Sequence, residues 1–195
     1  MRRLSSHSRQ YARAVACRWM LCLLVIFAGC GGGGDKAAEP APDAPPGIEL
    51  TSSAFRAGGA IPVKYTCDGR ETSPPLAWAD VPAGTQSLAL LMEDPDAPGG
   101  TFVHWTVYGI APTVRRFDVG KAPSGSEQGE NSFGHDRYGG PCPPEGDEAH
   151  HYVFNLYALR ADPNLGPGAK PDAVRRAIKK QAIARGELIG TFKRG

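Results

Sequence analysis

Glu93-Asp94-Pro95-Asp96-Ala97-Pro98 sets two aspartates in a run whose two prolines fix the backbone. Carboxylates so held can take a proton, hold a cation, or orient a neighbouring imidazole. Aspartates in turns also bond nearby backbone N–H groups, so either one alone is equally a turn-former. A second stiff run, Gly139-Gly140-Pro141-Cys142-Pro143-Pro144, leads into His150. Glycine lets a ligand approach the backbone and proline removes N–H donors, so this run is a ligand wall or simply a rigid loop. His104, His150 and Tyr152 complete the set. Imidazole N–H and phenol O–H groups donate hydrogen bonds, and a protonated ring adds charge, so the three can receive an anionic oxygen. An aspartate beside them would fix a histidine tautomer and raise its pKa. The chemistry this set could perform is capture of a small anion. His135 and His151 are expected at the surface or behind the site.

Other chemistries find less support. No serine stands in a Gly-x-Ser-x-Gly frame, and there is neither a phosphate-loop motif nor His-Glu-x-x-His. A metal site built from Asp94, Asp96, His104 and His150 is conceivable by residue type, but their spacing is not compact. No cofactor is called for, and no nucleophile–base pair is visible, so a binder is expected rather than an enzyme.

Strands must carry these residues. The 25 glycines and 18 prolines among 195 residues follow no collagen period and favour a loop-rich, mostly β fold. Short β-type runs are expected near 48–52, 63–66, 87–93, 102–110, 114–119, 151–159 and 188–193. Alternation along 150–158 puts His150, Tyr152, Phe154, Leu156 and Ala158 on one face. The same rule predicts that His104 shares a face with Thr106 and Tyr108. One helix is predicted, with Pro171 in its first turn and an apolar stripe of Val174, Ala177, Ile178 and Ala182. Gly186 should close it, and Arg175, Arg176, Lys179 and Lys180 should form its solvated face.

The chain's start is different in kind. Five arginines (Arg2, Arg3, Arg9, Arg13, Arg18) and no acid precede residue 30, so the formal +2 belongs to this leader. The remainder has a slight acidic excess and no basic run, which argues against nucleic acid as a partner. Residues 19–28 are uncharged, shorter than the ~20 apolar residues of a bilayer span, and suit a signal-peptide core. Phe27-Ala28-Gly29-Cys30 resembles the lipobox of bacterial lipoproteins, in which that cysteine is lipidated and becomes the mature N-terminus. The alternative is an ordinary secretory signal cut near Gly29, or an uncleaved anchor. Residues 31–47 hold no large apolar side chain and are expected to form a flexible tether. The predicted organisation is therefore a leader over 1–30, a tether over 31–47 and one domain over 48–195. Gly31 after Cys30 resembles the sorting pattern of the outer membrane, implying a lipid-anchored protein of the bacterial envelope that faces the periplasm.

Four motifs in series resemble the phosphatidylethanolamine-binding protein family, in its bacterial Raf kinase inhibitor-like (YbhB/YbcL) branch. They are Asp94-Pro95-Asp96-Ala97-Pro98, Phe102-Val103-His104-Trp105, Gly139-Gly140-Pro141-Cys142-Pro143-Pro144 and His150-His151-Tyr152-Val153-Phe154. Tyr65-Thr66-Cys67-Asp68-Gly69, Ser73-Pro74-Pro75-Leu76-Ala77-Trp78 and Asn131-Ser132-Phe133-Gly134 add to the match. The resemblance implies a β-sandwich with Greek-key-like sheets, one or two short helices, and an end pocket for phosphate-type head groups and other small anions. By motif position, Asp94, Asp96, His104, Pro143, Pro144, His150 and Tyr152 should line it, with Gly140 and Cys142 at its wall. It also places Cys67 and Cys142 in loops near that pocket. Export permits their oxidation, so a disulfide and two free thiols are both open expectations. The expected partners are a small anionic or phosphorylated ligand and, through the lipid, a membrane. The alternative role is a protein-interaction module, a protease inhibitor or signalling partner whose pocket is vestigial.

Overall fold

The computed structural model describes residues 41–195, so the leader, Cys30 and residues 31–40 lie outside the described residues. In chain order come β1 (Glu49–Thr51), a 3-10 turn (Val63–Tyr65), β2 (Leu76–Ala79), β3 (Ser87–Asp94), β4 (Phe102–Ile110) and β5 (Arg116–Phe117). Then follow β6 (Glu127–Gly129), β7 (His150–Leu159), α1 (Pro171–Gln181) and β8 (Ala182–Phe192). The strands pair antiparallel in two sheets, β1-β2-β5 and β6-β4-β3-β7-β8. In the larger sheet β7 returns after a long connection to lie beside β3, which is the Greek-key order.

β3 is central and buried along its whole length. Leu88, Leu90 and Met92 face a core shared with Leu50, Trp78 and Phe117 of the small sheet. Ala89 and Leu91 face a second core, closed by Val174 and Ile178 of α1. A strand covered on both faces reads as a continuous apolar run, which is why its period of two is hidden in the sequence. Continuing the first face past Met92 arrives at Asp94, still only 3% exposed.

Several expected elements are corrected. Residues 63–65 form a turn instead of a strand, since Tyr65 N–H bonds the Pro62 carbonyl and Thr66 N–H that of Val63. The strand expected over 114–119 shrinks to Arg116–Phe117, while β2 and β6 were not anticipated. The helix stops at Gln181, and the chain runs directly into β8. Gly186 is thus a mid-strand residue opposite Leu156, where a Cβ would lie 2.6 Å from the Ile48 carbonyl oxygen. Arg175 is not on a solvated face. It is 2% exposed and ion-paired with Glu93 of β3.

The end of the expected 31–47 tether is also not free chain. Tyr157 Oη donates to the Pro42 carbonyl at 3.0 Å, Arg185 N–H donates to that of Pro45 at 2.8 Å, and Pro46 bridges Arg185. Proline suits such an edge because its carbonyl accepts and it has no N–H left to satisfy. Among the described residues no helix is long and apolar enough to cross a membrane.

Candidate functional site

Antiparallel pairing brings the C-terminal end of β3 against the N-terminal ends of β4 and β7. Asp94, His104 and His150 therefore meet at one end of the larger sheet, around a cavity of about 270 Å³. Its walls also take in Cys142, Pro143 and Pro144 from the proline-rich loop, Ala97 and Pro98 after β3, and two rings, Phe102 and Phe133.

His104 reaches this cavity through an irregularity. Met92 pairs with Trp105 and Glu93 with Val103, leaving His104 as an extra residue in β4. Such a bulge re-aims a side chain. Thr106 pairs with Leu91 on the helix side and Tyr108 belongs to the helix-side core, so the expected shared face of His104, Thr106 and Tyr108 does not exist. His104 packs instead against Tyr152, with ring centroids 5.1 Å apart and nearly perpendicular planes. In β7 the alternation is regular, and Tyr152, Phe154, Leu156 and Ala158 all enter the core between the sheets.

The two histidines are oriented from behind. His104 Nδ1 lies 3.0 Å from the Gly139 carbonyl oxygen, which can only accept, so Nδ1 carries the hydrogen. His150 Nδ1 donates to Asp94 Oδ2 at 2.8 Å, and Asp94 Oδ1 accepts the Asp96 N–H at 2.9 Å. Asp94 is thus both a turn-former and the histidine's orienting partner. His150 Nε2 lies 3.8 Å from Asp147 Oδ2, beyond hydrogen-bond range. Burial holds the His104 ring below the ordinary histidine range, outweighing the Gly139 carbonyl and the Asp94 carboxylate, which act the other way. Tyr152 is fully buried, and its hydroxyl makes no hydrogen bond of normal geometry within the protein. Burial first, and then the Asp94 charge, push that hydroxyl well above the ordinary phenol range.

Asp96 is not in the cavity wall. Its Oδ2 accepts both the His151 backbone N–H and His151 Nδ1–H, each at 2.7 Å, on the exposed side of the loop. Partial desolvation opposes it, but those two bonds and the His151 charge hold the Asp96 carboxyl below the ordinary range. His151 therefore clips the loop after β3 to the start of β7.

The proline-rich loop is pinned along its length. Gly139 N–H donates to the His104 carbonyl at 3.0 Å, Gly140 N–H to Glu71 Oε1 at 3.2 Å, and Cys67 N–H to the Pro141 carbonyl at 3.1 Å. Cys67 and Cys142 form a disulfide with Cα atoms 5.4 Å apart. What crowds Gly140 is protein: a Cβ there would stand 2.9 Å from the Tyr65 oxygen and the Thr66 carbon. Its missing side chain admits the neighbouring loop, not a ligand.

Sequence reasoning left out Phe102, Phe133, Ala97 and Pro98, and also Asn131, which builds the mouth. Asn131 Oδ1 accepts the Phe133 and His135 N–H groups at 3.0 and 3.1 Å, and its Nδ2 donates to the Arg137 carbonyl at 2.8 Å. Phe133 is left 41% exposed over the opening. The signal was present in Asn131-Ser132-Phe133-Gly134, a turn sequence carrying an aromatic residue that no core claims. Among the described residues no three His, Cys, Asp or Glu side chains are grouped to hold a metal ion.

Comparison with known proteins agrees with this architecture. Residues 51–193 match the family model described as phosphatidylethanolamine-binding protein. The chain is 42% identical over 188 residues to a Mycobacterium tuberculosis protein named "Putative lipoprotein LppC", covering 89% of this chain and 92% of that one. An Aquifex aeolicus protein named UPF0098 is 45% identical over 152 residues, covering 75% of this chain and 89% of its own. The crystal structure of Escherichia coli YbcL, described as a member of the mammalian PEBP family, superposes with a TM-score of 0.73 at 34% identity, covering 76% of this chain and 99% of that one. A homologue from Chlamydia trachomatis, CT736, gives a TM-score of 0.72 at 38% identity, covering 76% of this chain and 99% of its own. The family match over most of the chain and the overall likeness to these relatives agree, and the chain belongs to the phosphatidylethanolamine-binding protein family, in its YbcL-like bacterial branch.

Proposed function

We propose that the protein is an envelope-anchored binding module whose end cavity takes a small anionic or phosphorylated ligand. The observation that carries this is the convergence of His104 and His150, each oriented by a hydrogen bond on Nδ1, on one cavity beside the stiff Pro143–Pro144 wall. Both rings keep their second nitrogen for a guest. The family's phosphoryl head-group binding supports the same ligand chemistry. A binder is favoured over a catalyst because Cys142, the one wall residue with a potential nucleophile of that kind, is held in a disulfide. Anchoring rests on Cys30 within its lipobox-like sequence and on a relative named as a lipoprotein. Gly31 after that cysteine favours the outer membrane.

Thermal unfolding of the full chain with phosphate, phosphoethanolamine, nucleotides and acetate tests the reading. A ligand at a hundred times its dissociation constant adds about 2.7 kcal/mol to the folded state. The expected result is a raised midpoint with a phosphorylated compound and no rise in His150→Ala. No shift with any compound would overturn the anion pocket and leave a protein partner as the leading role. Metabolic labelling with a radioactive fatty acid, lost in Cys30→Ser, tests the anchor.

A further inference from the structure

A second cavity, of about 190 Å³, opens between the chain entering β2, the chain leaving β5 and strand β6, and it shares no lining residue with the first. Pockets for drug-sized molecules run to roughly 300–1,000 Å³, so a guest here must be small. Some of its polar groups are already used. Trp105 Nε1–H donates to Gln128 Oε1 at 2.7 Å, and Tyr138 Oη donates to the Tyr65 carbonyl at 2.8 Å. Thr72 Oγ1 reaches the Lys64 carbonyl at 3.5 Å.

Other groups in the same lining are left over. An indole N–H can only donate, so the Trp105 bond fixes which end of the Gln128 amide is oxygen and leaves the Nε2 hydrogens for a guest. Ser73 is 2% exposed, yet its hydroxyl bonds no group among the described residues. A hydroxyl so enclosed is ordinarily met by water or by a ligand. Arg137 is held through its carbonyl by Asn131 Nδ2, but its guanidinium has no ion pair or hydrogen bond among the described residues. A guanidinium fork matches the two oxygens of a carboxylate.

Glu71 brings the opposite charge to the same lining. Its Oε1 accepts the Gly140 N–H at 3.2 Å, which leaves Oε2. Its backbone stands at φ 53°, in the left-handed region that few residues other than glycine adopt. Such a conformation persists only where the surroundings determine it, and these positions gather at ligand sites.

We infer that the second cavity binds a free α-amino acid with a small side chain. The carboxylate lies on Arg137, Gln128 Nε2 and Ser73 Oγ, and the ammonium on Glu71 Oε2. A carboxylate alone would meet Glu71 as a like charge, and an amine alone would meet Arg137. A zwitterion answers both.

L-Alanine, propionate and ethylammonium are the probes, since each of the last two is alanine without one charged group. Calorimetric titration of the full chain in detergent should give alanine at least tenfold tighter binding than either. Arg137→Gln should weaken alanine binding at least tenfold. Glu71→Gln keeps an oxygen for Gly140 and removes the charge, so in that variant alanine should lose its advantage over propionate. That ratio is read within one folded variant, so a general loss of stability cannot imitate it. Equal binding of alanine and propionate by the unaltered protein would overturn the inference. So would binding of none of the three, or alanine affinity unchanged in Arg137→Gln.

Discussion

Asp94 is the residue on which the site's order depends, since one carboxylate holds both His150 and the turn that follows β3. Asp94→Ala would strand the buried His150 Nδ1–H and free the part-buried Asp96 N–H, so a loss of about 2 kcal/mol is expected. A double-mutant cycle with His150→Ala should return a coupling of about 1 kcal/mol or more in urea unfolding; additive losses would show that the contact does not orient the ring. His104 makes a different prediction. Its folded-state pKa is depressed, so the unfolded chain binds more protons in the window from the ordinary value of 6.5 down to the folded one. Its contribution to stability is therefore complete above that window and declines as pH falls through it. Glu93, whose carboxyl is raised chiefly by burial, acts in the opposite sense above the ordinary carboxylate range. Comparison with His104→Asn isolates the histidine. The wild type should lose more stability than this variant between pH 7.5 and pH 5.5, and parallel losses would count against a buried neutral ring. The shared face of His150 and Tyr152 was legible because β7 alternates without interruption, but Tyr152, expected to line the pocket, lies in the core against the His104 ring and outside the cavity wall. The aim of His104 was not, because an inserted residue in β4 leaves no mark on the hydrophobic pattern.

At the level of elements, the helix is fastened to the sheet by charge as well as by apolar contact. Val174 and Ile178 close the second core, while Arg175 reaches Glu93 of β3 in a pair with side chains 2% and 3% exposed. Breaking a buried pair from one side leaves an uncompensated charge, so Arg175→Ala should cost about 3–5 kcal/mol in urea unfolding. The double change Glu93→Gln with Arg175→Met should recover much of that loss, and failure to recover would point to lost packing instead. Arg175 also explains what periodicity could and could not reveal. Arginine between apolar positions reads as solvated face, and the acid that buries it stands 82 residues earlier. Long strands such as β3, β4 and β7 were legible from composition alone. β2 and β6, four and three residues long, owe their state to their partners, Leu76 opposite Phe117 and Gln128 opposite Val107. Gly186 misled for a related reason: it reads as a helix stop, but the need for glycine there comes from Ile48 on a distant segment.

Across the whole molecule, the Cys67–Cys142 bridge joins the loop after the 3-10 turn to the cavity wall, and it spans 75 residues of sequence. That closed loop contains the small sheet's β2 and β5 and the cavity strands β3 and β4, so the bridge restricts most of the unfolded chain's search. The loop-entropy estimate for such a length is about 4 kcal/mol, and native bridges commonly contribute about 2–4 kcal/mol. The two cores do not depend on it, being built by sheet pairing and by α1. Reduction should therefore lower stability without abolishing the fold. In urea, protein with reductant should unfold at a lower midpoint by an amount equivalent to about 2–4 kcal/mol, with β-sheet circular dichroism retained before the transition. Amide exchange should quicken first in residues 139–144, where Gly140 and Pro141 are held to Glu71 and Cys67. Uniform acceleration through β3 and β7 would show instead that the bridge supports the sandwich as a whole.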